Sequence, residues 1–427
     1  MGTEWIETTV GDFCPFHYGK GLPERNRIPG PYPVFGSNGQ VGSHYQPFVN
    51  EPGIIIGRKG TVGAVHFSKL PFCPIDTTFY VVSADYRDLR FTYYLLKSLG
   101  LDRMNADSAV PGLNREAAHK RKILVPPLST QRAIAHILGT LDDKIELNRR
   151  MNETLEAVAQ ALFKSWFVDF DPVVVNAIKA GTPLPEKFAK RAAHYRENPD
   201  ALGLPEHILR LFPDRFVDSE IGPIPEGWEA RPLLDVINVN PLHRLKRGTL
   251  APYLDMANMP TKGHRPKKIR IRPFTSGSRF VNGDTLLARI TPCLENGKIA
   301  YVDFLPANLV GWGSTEFIVL RPIPPMPPVY VYLLARSQDF REFAIQNMTG
   351  SSGRQRVQIS AILSYLLVVP PQNVSMKFGE IVHDLFARIK QLSEESNTLA
   401  FLRDTILPKL ISGELRVPKV ERLLKEG

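Results

Sequence analysis

Two short loops concentrate the residues with the most to offer a ligand. Gly57-Arg58-Lys59-Gly60 sets two cationic donors between glycines, and Gly350-Ser351-Ser352-Gly353-Arg354-Gln355-Arg356 interleaves hydroxyls, glycines and guanidiniums. Such side chains donate hydrogen bonds and carry positive charge, while glycine lets a partner approach the backbone closely. They grip a ligand rather than transform it. The charge around them is uneven. Residues 241–300 carry twelve basic residues, among them Lys262, Arg265, Lys267, Lys268 and Arg289, against only Asp255, Asp284 and Glu295, a local balance of +9. Residues 1–125 carry 14 basic and 11 acidic residues, and the whole 427-residue chain has a net charge of +10. A basic excess inside a globular segment, rather than in a tail, points to a polyanionic partner.

Catalytic constellations are missing where the sequence would have to show them. Methylation of a base amino group needs a Gly-rich cofactor turn and an Asn/Asp-Pro-Pro-aromatic loop to hold the extruded base. The pairs Pro126-Pro127 and Pro370-Pro371 instead follow valine and lead into helical patterns, and Asp171-Pro172-Val173 lacks the second proline and the aromatic. There is no GxxxxGK[ST] loop for a nucleotide. Pro213-Asp214 resembles the opening of a nuclease metal site, but no Glu-x-Lys follows at a useful distance. The ten histidines show no metal-ligand spacing, and Cys14, Cys73 and Cys293 form neither a CxxC pair nor a disulfide framework. Asp142-Asp143 and Glu394-Glu395 read as solvated helix faces. The expectation is no catalytic residue, no metal and no cofactor of its own: a reader or adaptor. No apolar run is long enough to cross a bilayer and the first residues do not resemble a signal peptide, so a cytoplasmic location with no membrane partner is expected.

The elements that must position these loops occur twice. Gly57-Arg58 and Gly63-Ala64-Val65 match Ala288-Arg289 and Gly297-Lys298-Ile299. Asp76 to Val82 matches Ser314 to Leu320, with Phe79 on Phe317, and Ile123-Leu124-Val125-Pro126-Pro127 matches Leu367-Val368-Val369-Pro370-Pro371. Each copy reads as short strands broken by Gly and Pro around one helix, about Leu89 to Leu99 in the first copy and Val329 to Ala344 in the second. Each is followed by a long heptad pattern. The first sets Ile134, Leu141, Leu155 and Leu162 in one row, with Asn148 in the gap. Leu138, Ile145 and Trp166 form its companion row, with Asn152 between. The second sets Phe378, Leu385, Leu392, Leu399 and Ile406 beside Val382, Ile389 and Leu410. Sustained heptads predict helices packed on each other, with Asn148, Asn152 and Ser396 fixing register at a cost in stability. Pro408 and Gly413 are expected to end the second helix. The fold class is thus mixed α/β (α+β) domains plus a long helical coiled coil, in tandem duplicate. The expected boundaries are 1–127 and 228–371 for the two globular domains, and 128–168 and 372–412 for the helices. Residues 169–227 would be a linker with short helices, about Glu186 to Glu197 and Pro205 to Phe212, and 413–427 a C-terminal tail.

Several stretches resemble the specificity subunit of type I restriction–modification systems. They are Pro31 to Gly39, Gly57 to Gly60, Ile123 to Leu128 with Gln131-Arg132-Ala133-Ile134, Leu147-Asn148 to Phe167, Pro225-Glu226-Gly227-Trp228, and Lys409 to Val417. The resemblance spans essentially the whole chain, including the tandem order; it departs at Thr130, where the family commonly has Glu. It implies that each globular domain is a target recognition domain reading one half of a bipartite double-stranded DNA sequence, and that the helices form an antiparallel coiled coil that sets the distance between half-sites. It implies two modification subunits, which bind S-adenosylmethionine and methylate adenine, and restriction subunits, which use ATP and Mg. The chain itself would be non-catalytic. Bases are read by donors and acceptors at groove edges, while phosphate contacts position the protein. On that footing Ser37, Asn38, Arg58, Lys59 and Arg115 are the expected DNA-binding residues of the first domain. Arg289, Ser351, Ser352, Arg354, Gln355 and Arg356 are those of the second, with Lys262, Arg265, Lys267 and Lys268 on phosphates. Tyr32 and Phe35 are expected in the core. The alternatives are a fused DNA methyltransferase or nuclease, and a coiled-coil scaffold unrelated to nucleic acid.

Overall fold

A computed structural model describes residues 5–104, 112–351 and 353–417. The chain divides into two compact units, Met1–Leu147 with Glu395–Gly427, and Asn148–Glu394.

In the first unit the strand Gly53–Gly57 is buried along its whole length, as its run of Ile54, Ile55 and Ile56 requires. It lies third in an antiparallel sheet ordered His17–Tyr18, Thr78–Val82, Gly53–Gly57, Val65–Ser68. Alternation sends Ile54, Ile56, Phe79 and Val81 into a core with Phe91 and Leu95 of the helix Leu89–Ser98. Ile55 joins Phe35 and Phe72 on the other side. Asp88 caps the helix by accepting a hydrogen bond from the Phe91 amide at 2.7 Å. A second sheet, ordered Gly39–His44, Tyr32–Gly36, Cys73–Pro74, carries the Ser37-Asn38 turn at its tip. Phe35 is buried in a core, as expected, whereas Tyr32 is only half-buried. The strands Ile6–Thr9 and Lys122–Val125 pair beside them.

The second unit repeats this plan. Its first sheet runs Ile237–Val239, Phe317–Pro322, Thr285–Ala288, Ile299–Tyr301, and Glu229–Pro232 pairs with Leu366–Val369. The other sheet runs Arg270–Pro273, Leu250–Leu254, Gly311–Gly313, Ser278–Phe280, one strand more than in the first unit. Even the parallel pairing recurs, Val34 beside Cys73 and Tyr253 beside Trp312.

The sequence match slips by one residue at one strand. Ile56 pairs with Phe79, and its counterpart Leu287 pairs with Ile318. Phe79 and Ile318 share the helix-facing core of their units, whereas Phe317 points into the other core with Leu286 and Ala288. Phe79 therefore corresponds to Ile318, not Phe317, because a shift of one residue exchanges the faces of a strand.

Both long helices span 40 residues, Leu128–Phe167 and Gln372–Ile411, and they pack antiparallel within each unit. In the first unit Ile134 and Leu138 share a core with Leu407 and Leu410. There Asp142 accepts hydrogen bonds from Arg403 at 2.5 Å and from the Tyr94 hydroxyl at 2.6 Å. In the second, Phe163 and Trp166 pack on Phe378, and Asn148 and Asn152 bond to the Leu392 carbonyl and the Ser393 hydroxyl. Pro408 does not end its helix, which continues to Ile411; Gly413, at φ +78°, follows the last turn.

Two further departures from the sequence reading have local causes. The helix expected over Val329–Ala344 breaks into Pro328–Arg336 and Gln338–Gln346, because extended Ser337 caps the second piece at the Phe340 amide. The proline-rich stretch after the first long helix is packed rather than tethered. It forms the helices Asp171–Ala180, Ala189–Glu197 and Glu206–Leu209, and it buries Phe170, Val174, Phe188 and Phe212 in one core with Trp166 and Trp228.

Candidate nucleic-acid interface

In the first unit the candidate residues meet where the strand Gly53–Gly57 ends. The amides of Arg58 and Lys59 donate to the Thr77 carbonyl at 2.9 and 3.1 Å, and the Arg58 carbonyl accepts from the Leu113 amide at 2.9 Å. These bonds fix the loop, and its turn back needs Gly60 and Gly63, at φ +79° and +73°. A Cβ on Gly63 would meet the Asp102 backbone at 2.2 Å, so only glycine fits there. The Arg58 guanidinium lies 5.3 Å from the centre of the Tyr18 ring and 5.9 Å from that of Phe79. Arg115, first residue of a short helix capped by Asn114, lies 4.8 Å from the Tyr18 ring centre. Tyr18 is half exposed on its edge strand. Together with Lys59 and Asn114 these side chains line a groove of about 550 Å³. The Ser37-Asn38 turn abuts the same loop: a Cβ at Gly60 would touch the Ser37 hydroxyl at 3.1 Å.

The structure thus gathers Ser37, Arg58, Lys59 and Arg115 and adds Tyr18, which the sequence reading missed. An aromatic residue in a two-residue edge strand leaves no periodic signal, and only its exposure and its two guanidinium neighbours mark it.

The corresponding corner of the second unit keeps the backbone and changes the chemistry. The Arg289 amide donates to the Glu316 carbonyl at 3.0 Å, and its carbonyl accepts from the Val357 amide at 2.9 Å. Here the carboxylate of Glu316 takes a bidentate grip from Arg356, at 2.7 to 3.0 Å, with Arg289 at 3.9 Å. The Arg356 guanidinium holds the Glu316 carboxyl below its usual range. Beyond this pair Gly350, Ser351, Gly353 and Arg354 are exposed, with Gly350 at φ +126° and Gly353 at φ +76°. The Gln355 carbonyl accepts from the Thr291 amide. Ser352 lies outside the described residues.

The basic stretch of this unit separates into two groups. Lys262, Lys267 and Lys268 are exposed, as are Arg244, Lys246, Arg247, Arg270 and Arg272. Arg265, grouped with the phosphate contacts on sequence grounds, instead bonds to Asp303 at 2.9 Å and is largely buried. Its neighbour His264 explains why. His264 is 1 % exposed and sits between Asp303, at 3.1 Å, and Glu156 of the first long helix, at 3.5 Å. Glu156 also accepts from the Tyr332 hydroxyl at 2.5 Å. Arg336 stacks on that Tyr332 ring and bonds to the Thr261, Gly263, Gly297 and Ile299 carbonyls. Burial alone would depress the His264 pKa, but its bonds to Asp303 and Glu156 outweigh that and raise it. Burial likewise opposes ionisation of Glu156 and Asp303, yet hydrogen bonding to His264 keeps both carboxyls below their usual range. This charged cluster ties the loop carrying the exposed lysines to the helix. Among the described residues, no group of His, Cys, Asp and Glu has the arrangement of a metal site, and no helix is long and apolar enough to cross a membrane.

A family model described as the type I restriction modification DNA specificity domain matches residues 2–157. The type I restriction enzyme HindI specificity subunit of Haemophilus influenzae is 23% identical over 337 residues, 71% of each chain. The MjaIX specificity subunit of Methanocaldococcus jannaschii is 24% identical over 392 residues, 86% of this chain and 78% of that one. Among solved structures, the type I restriction–modification S subunit from M. genitalium shares the fold, with a TM-score of 0.54, 17% identity and 96% of each chain covered. This domain is matched at the start of the chain, and along most of its length the chain is similar to the specificity subunits of type I restriction–modification systems, whose fold it shares.

Proposed function

We propose that the chain selects the DNA sequence on which a type I restriction–modification complex acts, each unit reading one half of a bipartite target. The observation that carries this reading is the repeated corner at Arg58 and Arg289. One backbone frame, held by the same pair of amide–carbonyl bonds, presents different side chains in the two units. A duplicated frame with divergent tips suits two different half-sites. The exposed lysines and arginines of the second unit hold phosphates, and the long helices set the spacing and dock two modification subunits, to which restriction subunits add. In this reading the chain is non-catalytic. S-adenosylmethionine, ATP and Mg act on the partner subunits, and the complex works in the cytoplasm.

The test is to produce the chain with its modification subunits in cells lacking adenine methylation and to sequence the methylated positions. A bipartite motif with adenine methylated in each half is expected. Failure of the complex to methylate any sequence selectively, or motif selection that persists without this chain, would overturn the reading.

A further inference from the structure

The two heads share a backbone corner but differ in the charged groups set on it. The carbonyl that receives the Arg58 amide belongs to Thr77, and the carbonyl that receives the Arg289 amide belongs to Glu316. In the first unit, among the described residues, neither Arg58 nor Arg115 has a carboxylate within ion-pair distance; both lie against Tyr18, and the Arg58 Nε is buried without a hydrogen-bond partner. In the second, Glu316 draws Arg356 into a bidentate pair and holds Arg289 at 3.9 Å. Ile359 stands where Arg115 stands, since Gln358 and Asn114 occupy the same capping position of the equivalent short helices.

We infer that the Tyr18–Arg58–Arg115 corner reads a guanine in the first half-site, and that Glu316 removes this requirement at the matching corner of the second. The inference rests on the proposed DNA-reading function. Stacking on an aromatic ring fixes the plane of a guanidinium and leaves its edge donors free. Those donors match the two acceptors that guanine shows in the major groove. A phosphate would gain nothing from an exposed tyrosine ring beneath the cation, and lysine would hold it equally well. A carboxylate already gripping Arg356 bidentately leaves that fork unavailable for a base.

The test uses the full chain with its modification subunits, reading methylated positions by sequencing and binding by competition among DNAs that differ at one base. The wild-type first half-site is expected to contain a guanine whose replacement weakens binding roughly ten- to a hundredfold. Arg58→Lys, which keeps the charge and loses the fork, should abolish that preference while leaving the second half-site intact, and Thr77→Glu should do the same. Arg115→Ala, on an exposed helix start, should weaken the preference and serves as the deciding variant if the others disturb folding. Retention of the guanine by Arg58→Lys or by Arg115→Ala, or a wild-type first half-site without guanine, overturns the inference. Absence of any bipartite motif in the wild type would instead overturn the functional reading beneath it.

Discussion

Arg354 and Lys267 are both exposed cations of the second unit, yet their settings separate them. Arg354 sits on a turn with two positive-φ glycines, which can come close to a groove floor. Lys267 lies on the basic segment outside it, a mobile point charge. Arg354→Ala is expected to relax selection at one base of one half-site, at a cost of about 1–3 kcal/mol. Lys267→Ala should weaken all sequences alike and lower the salt slope of binding by about one. Binding titrations across salt concentrations, with matched and single-mismatch DNA, separate the two. Unchanged specificity in Arg354→Ala would remove that turn from the reading surface. His264 makes a claim about pH. Its folded pKa is raised, so its stabilisation is complete below the unfolded value of about 6.5 and is lost as pH rises through the folded value. Glu156 and Asp303 have lowered pKa values, so their share is present above about pH 4 and lost as pH falls through their folded values. His264→Gln leaves two buried carboxylates without their central cation, which should cost the second unit about 2–4 kcal/mol. Denaturant unfolding should show the gap from wild type widest near pH 6 and shrinking as the pH is raised; a gap independent of pH would mean that folding does not shift the His264 pKa, and one that narrows as pH falls would mean that His264 is neutral in the fold.

Heptads, strand runs and the duplication were readable in the sequence because burial on one face imposes a period. Ile134, Leu138, Leu392 and Leu410 all occupy cores. What escaped was decided by single local bonds or by packing without period. Phe317 resembled Phe79 in type, but strand register assigned that role to Ile318. Ser337 split a helix that apolar spacing alone would continue. The core around Phe170 and Trp228 comes from short helices between prolines, too brief to show a repeat. The candidate site was partly visible through Arg58, Lys59 and Arg115, whereas Tyr18 and the capture of Arg356 by Glu316 depend on residues distant in sequence. The polar heptad position Asn152 carries a prediction of its own. Its amide donates to the Ser393 hydroxyl, which itself bonds to the Ile389 carbonyl at 2.7 Å, and its own Oδ1 is buried without a partner. Asn152→Leu therefore leaves Ser393 bonded, removes an unsatisfied oxygen and should stabilise the second unit by about 1 kcal/mol. A fall in thermal stability would show that the amide is stabilising rather than only specifying register.

At the scale of the whole chain, each head belongs to one unit, while each of the two long helices has residues in both. The division falls after Leu147 in one helix and after Glu394 in the other. Seven residues inserted at both points keep the heptad phase, because each row recurs every seven residues. They also leave Tyr94–Asp142 in the first unit and His264–Glu156 in the second with the partners they now have. Each helix would lengthen by about 10 Å at ~1.5 Å per residue, which corresponds to roughly three base pairs at ~3.4 Å each. If the helices set the spacing, the lengthened protein should methylate the same two half-site sequences with a gap about three base pairs longer. An insertion in only one helix breaks the pairing of the rows and should instead lose methylation. The same gap with longer helices would mean that partner subunits, not this chain, fix the distance between the half-sites.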